Sequence, residues 1–136
     1  MLMSDVWNRK KRSLGTDDEM DAINPELLRG SLEMMVLSTL AKGKKYGYLI
    51  QSTLWESSRQ TIEMKAGTLY PILHKLEKEG WVKCHWDNDT GRRRKWYELT
   101  AAGRKQLKCR ADEWWRYVEC LRLVLAPLGE LSPQTA

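Results

Sequence analysis

The chain has 136 residues, of which 42% are hydrophobic and 30% are charged, and its net charge is +5. This length suits one domain of ordinary size, and the mean hydropathy of −0.59 is that of a soluble chain with enough apolar side chains for a core. The longest apolar runs fall far short of the ~18 residues that a membrane-spanning helix needs, and the N-terminus lacks the apolar stretch of a signal peptide, so we expect a cytoplasmic protein without membrane contact.

The first 24 residues are predicted to form a charged, flexible arm. A basic cluster at residues 9–12 is followed by acidic residues at 17–21, with little apolar periodicity, and such segments seldom fold without a partner. Order is expected to begin at Asn24-Pro25, because proline suits the first turn of a helix.

Three helices are predicted next, from apolar residues that recur every three or four positions. The first spans Glu26 to Ala41, with Gly43 just beyond its end. The second spans residues 46–56, and the third spans residues 66–79 and ends at Gly80.

A β-hairpin and a long helix complete the predicted fold. Residues 81–86 and 95–99 alternate around the turn residues 87–91, which predicts two paired strands. Thr100 then caps a helix from Ala101 to Ala126. Three short helices followed by a hairpin is the order of a winged helix-turn-helix, so the predicted fold class is mainly α with a two-stranded β wing. The predicted units are the arm (1–24), the winged helix-turn-helix (25–100), a C-terminal dimerisation helix (101–127) and a tail (128–136).

Positive charge is concentrated between residues 65 and 110. This segment carries twelve Lys or Arg residues against five Asp or Glu, a net charge of +7, whereas the whole chain carries +5. A basic block flanked by acidic ends is typical of a protein that binds a polyanion. A solvated basic surface without a partner would have the same composition.

The third helix is the candidate DNA-reading element, since the corresponding helix of a helix-turn-helix lies in the major groove. Its apolar stripe is Leu69, Ile72 or Leu73, and Leu76. The polar residues that then face outward are Lys65, Thr68, Tyr70, His74, Lys75 and Lys78. We expect Lys65 and Lys75 to contact phosphates, and Thr68, Tyr70 and His74 to read base edges. An amphipathic helix that shows its polar side only to water is the alternative.

The turn of the hairpin leads into four consecutive cations, Arg92-Arg93-Arg94-Lys95. Successive side chains of a strand point to opposite faces, so these cations place positive charge on both sides of the hairpin. We expect Arg92, Arg93 and Arg94 to contact DNA phosphates as a wing. A solvated basic turn is the alternative.

The last helix carries an apolar seam with alternating spacings of four and three residues, formed by Leu107, Ala111, Trp114, Val118, Leu121 and Leu125. This spacing predicts the interface of a homodimer, and packing of part of the seam on the first helix is the alternative. Two subunits related by a two-fold axis would match an inverted-repeat operator. Paired Trp114 side chains would form a slot for a planar hydrophobic small-molecule effector, unless they only fill the interface.

Cysteine and histidine are too few and too scattered for a metal site or a disulfide framework. The chain has three Cys and two His, with no Cys-x-x-Cys pair. Cys84 and His85 are neighbours on a predicted strand, so their side chains point apart and cannot act as a nucleophile and its base. No metal, no cofactor and no catalytic activity are therefore predicted.

Several short segments of the sequence resemble the PadR family of bacterial winged-helix transcriptional regulators. The matching segments are Leu27–Leu32, Tyr46-Gly47-Tyr48, Gly67–Leu73, Gly91–Tyr97 and Leu99–Gly103. The resemblance covers roughly residues 26–125, and it implies a homodimeric DNA-binding repressor that a small molecule releases. It also implies that Tyr70 is the tyrosine of the recognition helix, that Arg92–Lys95 form the basic wing, and that Trp114 lines a pocket at the dimer centre, as in short-tailed members. The chain departs from the family in its longer arm and in Trp96, where tyrosine is more common.

The sequence therefore predicts a sequence-specific regulator whose partners are double-stranded DNA and a second copy of itself. Two alternatives stay open. One is a winged-helix module that binds an acidic protein, and the other is a small-molecule sensor with weak DNA binding.

Overall fold

A computed structural model of the chain describes residues 23–88, 91 and 93–131. The predicted arm up to residue 22, Arg92 and the end of the tail therefore lie outside the described residues. The elements, in chain order, are α1 (Pro25–Leu28), α2 (Leu32–Thr39), β1 (Lys45–Tyr46), α3 (Gly47–Ser57), α4 (Ala66–Lys78), β2 (Val82–Asp87), β3 (Arg94–Leu99), α5 (Ala101–Leu125) and a 3₁₀ segment (Ala126–Leu131).

The first predicted helix is not continuous, and on this point the sequence prediction is wrong. A turn at residues 29–31 separates α1 from α2. The backbone N–H and the hydroxyl of Ser31 both donate to the carbonyl of Leu28, at 2.9 and 3.0 Å. Serine competes in this way with helical hydrogen bonding, and Gly30 beside it has low helix propensity, so the helix restarts after Ser31.

The hairpin of β2 and β3 is confirmed, and the structure adds a third strand. Antiparallel pairing runs from Val82 opposite Leu99 to Asp87 opposite Arg94. The short strand β1 pairs with the other edge of β3, which gives the sheet order β1-β3-β2. Two residues placed directly before a helix show no periodicity, so the sequence alone did not predict β1.

The core lies between α2, α3, α4 and the sheet. The predicted inner stripe of α4 is confirmed, with Leu69, Leu73 and Leu76 essentially inaccessible to solvent. The side chains that complete the core are Val36, Leu37, Leu40, Ile50, Leu54, Met64, Val82, Tyr97 and Leu99. This packing fixes which side of α4 faces solvent.

The long helix α5 begins at a well-made cap and then leaves the core. The Thr100 hydroxyl accepts a hydrogen bond from the Gly103 N–H at 3.0 Å, as a helix cap does. Gly103 is its one buried residue in the described range, and nearly all positions beyond Trp114 are exposed. None of the helices in the described part of the chain combines the length and apolar character that crossing a membrane requires.

Candidate nucleic-acid interface

The outer face of α4 carries all six polar residues that the sequence placed there. Lys65, Thr68, Tyr70, His74, Lys75 and Lys78 are all exposed. Lys65 is the cap residue, so α4 begins at Ala66, and Thr68 and Tyr70 are the exposed polar side chains of its first turns. A helix of this kind can enter a major groove with its N-terminal residues leading.

Tyr70 is held in place by the start of α3. Its side chain is 40% exposed, and its hydroxyl end lies against Gly47, the first residue of α3. A Cβ at position 47 would lie 2.9 Å from the Tyr70 Cζ atom and closer still to its oxygen. The absence of a side chain at Gly47 therefore decides where the Tyr70 phenol points.

The basic wing places its cations on opposite faces of the hairpin. The Arg93 guanidinium lies 4.2 Å from the Trp86 ring centre, and the Arg94 guanidinium lies 4.9 Å from that of Tyr46. Trp86 is 51% exposed and lies directly across from Lys95 in the strand pairing. Stacking on an aromatic face orients a guanidinium and still leaves its N–H groups free to donate. Trp86 was not predicted from the sequence as part of the interface, although the register of the hairpin places it across from Lys95.

Glu77 links α4 to the face of the hairpin that carries Trp86 and Lys95. Its carboxylate accepts a hydrogen bond from the Cys84 thiol at 2.6 Å and lies 3.5 Å from the Lys95 ammonium. Burial, and then the Glu77 carboxylate, raise the pKa of Cys84 to about 12. The thiol therefore stays protonated and acts as a structural donor rather than a nucleophile.

Lys75 is exposed on the outer face of α4, but its ammonium group has an acidic partner. Its Nζ lies 2.5 Å from Glu33 Oε1, and Arg110 Nη1 lies 2.5 Å from Glu33 Oε2. Partial burial alone would raise the pKa of the Glu33 carboxyl, but hydrogen bonds and positive charge from Lys75 and Arg110 outweigh it and lower that pKa. The pairing of Glu33 with Arg110 could not be predicted from sequence patterns, because 77 residues separate them along the chain.

The predicted seam of α5 divides into two parts. Leu107, Ala111 and Trp114 are half-buried, and Leu107 packs against the core. Val118, Leu121 and Leu125 are 44%, 40% and 53% exposed. The first part of the seam thus packs within the chain, and the second part is an apolar surface open to solvent, together with Trp115, Tyr117, Leu123 and Val124.

Trp114 lines an apolar groove of about 420 Å³ between α2 and α5. Its ring meets that of Tyr117 edge-on at 5.6 Å. The lining residues are Ser31, Met34, Met35, Ser38, Leu107, Ala111, Trp114, Trp115 and Val118. Methionine side chains such as these adapt to ligands of different shape.

No cluster of metal-ligating side chains occurs among the residues that the structure describes.

Comparisons with known proteins agree on one family. The sequence profile of the Transcriptional regulator PadR-like family matches residues 36–109. A transcriptional regulator from Clostridium thermocellum is 30% identical with a TM-score of 0.69, over 74% of this chain and 96% of that one. A PadR family transcriptional regulator from Eggerthella lenta is 34% identical with a TM-score of 0.66, over 74% of this chain and 86% of that one.

A further match is Bacillus subtilis PadR in complex with operator DNA, which is 32% identical with a TM-score of 0.54, over 59% of this chain and 46% of that one. These relatives are transcriptional regulators and not enzymes, as the sequence predicts for this chain. Fold, sequence profile and structural matches together establish that the chain belongs to the PadR-like family of transcriptional regulators.

Proposed function

We propose that the chain is a cytoplasmic, sequence-specific DNA-binding repressor that acts as a homodimer on an inverted-repeat operator and responds to a small hydrophobic effector. The observation that carries this proposal is the exposed polar face of α4 beside a wing whose Arg93 is stacked on an exposed tryptophan. The operator complex of the Bacillus subtilis PadR supports it, since that protein has the same fold.

Base readout and phosphate binding fall to different residues of this surface. Thr68, Tyr70 and His74 lie on the exposed side of α4, where they would reach base edges, and losing one such contact should cost ~1–3 kcal/mol for the cognate sequence. The phosphate contacts are Lys65 at the start of α4 and the wing residues Arg92, Arg93 and Arg94. Trp86 acts as a positioning residue because it orients the Arg93 guanidinium.

DNA binding is tested with a gel shift of the chain on its own upstream region, at several salt concentrations. Replacing Arg93 with alanine should reduce the slope of log K against log salt by about 0.9 units, the share of one phosphate contact. The matched control is Arg116→Ala, because Arg116 is exposed on the side of α5 opposite the seam. Failure of the wild-type chain to shift DNA at any salt would contradict the proposal and favour an acidic protein partner.

The exposed second part of the α5 seam supports the homodimer. Val118, Leu121 and Leu125 follow heptad spacing and are all exposed, and a contiguous exposed apolar surface of this kind is typical of a protein–protein interaction site. Leu121→Lys should therefore produce monomers in analytical ultracentrifugation, whereas Arg116→Ala should leave the dimer intact. Monomeric wild-type protein at micromolar concentration would contradict this part of the proposal.

The groove beside Trp114 is the proposed effector site. Its volume suits a small planar molecule, and the ring of Trp114 would report binding by fluorescence. Planar aromatic compounds should quench the wild-type emission and fail to quench Trp114→Ala at the same concentrations, with Trp86→Phe as the control that keeps the groove. Equal quenching in all three proteins would contradict a binding site that depends on Trp114.

A further inference from the structure

Three charged residues from three helices meet at one carboxylate. Glu33 belongs to α2, Lys75 to the recognition helix α4, and Arg110 to the long helix α5. Each cation takes a different oxygen of Glu33, Lys75 at Oε1 and Arg110 at Oε2, both at 2.5 Å. Two cations share one anion, so the cluster carries a net charge of +1.

Lys75 and Arg110 are not held equally firmly at the Glu33 carboxylate. The Arg110 side chain is 27% exposed and its guanidinium lies 5.0 Å from the ring centre of Trp81, so both an ion pair and an aromatic ring hold it. The Lys75 side chain is 59% exposed, and Glu33 is the acidic group paired with it among the described residues. Lys75 is therefore the member that a phosphate group could take from Glu33.

We propose that Glu33 controls DNA affinity by withholding Lys75 from the phosphate backbone. This inference rests on the proposed DNA-binding function and concerns the same surface. Arg110 keeps the carboxylate in place, and the carboxylate keeps the Lys75 ammonium against α2. Lys75 contributes a phosphate contact only when Glu33 releases it, so Glu33 is a positioning residue for α4.

The Glu33 carboxylate and a DNA phosphate would compete for the Lys75 ammonium, and this competition would set the contribution of Lys75 to DNA affinity. Both anions accept from the same ammonium donors, and a partly buried ion pair is screened by salt less than an exposed one. A lysine held by Glu33 neutralises no phosphate and releases no counterion from DNA. Its contribution is therefore absent from the salt dependence of binding as long as Glu33 holds it.

The test measures the salt slope of DNA binding for four full-length proteins: wild type, Glu33→Gln, Lys75→Gln and the double variant. Glutamine keeps the size of Glu33 and removes its charge. Glu33→Gln should steepen the slope by about 0.9 units, which makes the loss of affinity between 50 and 200 mM salt ~3.5-fold larger. Lys75→Gln alone should leave the slope unchanged, and the double variant should return to the wild-type slope.

Two further variants separate this effect from a general change in charge or in folding. Glu79→Gln removes an exposed carboxylate just beyond the end of α4, and it should raise affinity without any dependence on Lys75. Arg110→Gln removes the cation that keeps the Glu33 carboxylate in place, so the slope should steepen towards that of Glu33→Gln, whereas a general loss of positive charge would make it shallower. Thermal unfolding of each variant identifies any that fail to fold.

The outcomes distinguish this inference from the proposed function. If wild type binds DNA and Lys75→Gln alone lowers the slope by one contact, Lys75 already contacts phosphate and the inference is overturned. It is also overturned if Glu33→Gln changes only the melting temperature, because Glu33 then has a structural role. If wild type binds no DNA, the proposed function itself fails.

Discussion

Replacing Gly103 with alanine is expected to destabilise the junction between the wing and α5. A Cβ at this position would lie 2.9 Å from the carbonyl carbon of Trp81, closer still to its oxygen, and 3.1 Å from the Leu99 Cδ2 atom. Because favourable carbon contacts begin near ~3.5 Å, the start of α5 would have to move by roughly 1 Å.

That movement would disturb a set of hydrogen bonds centred on Thr100. Its N–H donates to the Trp81 carbonyl at 3.1 Å, and its hydroxyl donates to the Gly80 carbonyl at 2.7 Å and accepts from the Gly103 N–H at 3.0 Å. Overpacking costs about 1–3 kcal/mol, a lost cap costs ~1 kcal/mol, and the better helix propensity of alanine returns up to ~1 kcal/mol. The expected net loss is about 2 kcal/mol, which lowers Tm by roughly 8 °C.

Thermal unfolding followed by circular dichroism, at one fixed protein concentration, measures this loss. The concentration is fixed because a dimer gains stability by mass action. Gly67→Ala is the matched control, since Gly67 also lies in a helix but a Cβ there would meet nothing within 4 Å. It should leave Tm unchanged or slightly raised. A Gly103→Ala protein that melts with the wild type would refute the close approach of α5 to Trp81.

Three other predictions follow from the side-chain contacts. Gly47→Ala should push the Tyr70 ring aside. We therefore expect nearly unchanged stability, but DNA binding no stronger than that of Tyr70→Ala. If the two substitutions reduced DNA affinity additively in the double variant, this prediction would be contradicted. With its pKa raised to about 12, the Cys84 thiol should react with iodoacetamide at pH 8 more slowly than the exposed Cys109, and its rate should increase as pH rises. Equal labelling of the two cysteines in mass spectrometry would contradict this. The buried Trp55 Nε1 donates to no partner among the described residues. Because Trp55→Phe removes this unpaired donor, the free energy of unfolding measured in urea should stay within ~0.5 kcal/mol of the wild-type value or increase. A decrease of more than ~2 kcal/mol would contradict this prediction.

Much of the DNA-binding surface could be predicted from the sequence because its signals are local. The spacing of Leu69, Leu73 and Leu76 predicts the apolar stripe of α4. Because that stripe is buried, the positions on the opposite side of the helix are exposed. The wing is equally local, since a turn followed by consecutive cations fixes which residues lie at its tip. Thr100 followed by Gly103 marks the start of α5 in the same way.

Contacts between distant segments could not be predicted in this way. Glu33, Lys75 and Arg110 each have the spacing of an ordinary solvated position, and only the packing of three helices brings them together. The seam of α5 has one continuous heptad pattern, yet tertiary packing against α2 covers its first part and leaves Val118, Leu121 and Leu125 exposed.

The sequence by itself determined the order of the elements, the outward face of α4 and the basic character of the wing, because each depends on side chains within a few residues of one another. Only the tertiary structure decided which cations are already paired, where the first helix breaks, that a third strand joins the sheet and where the groove lies. Those features depend on the distance between residues far apart in the chain, and that distance is set by how the helices pack.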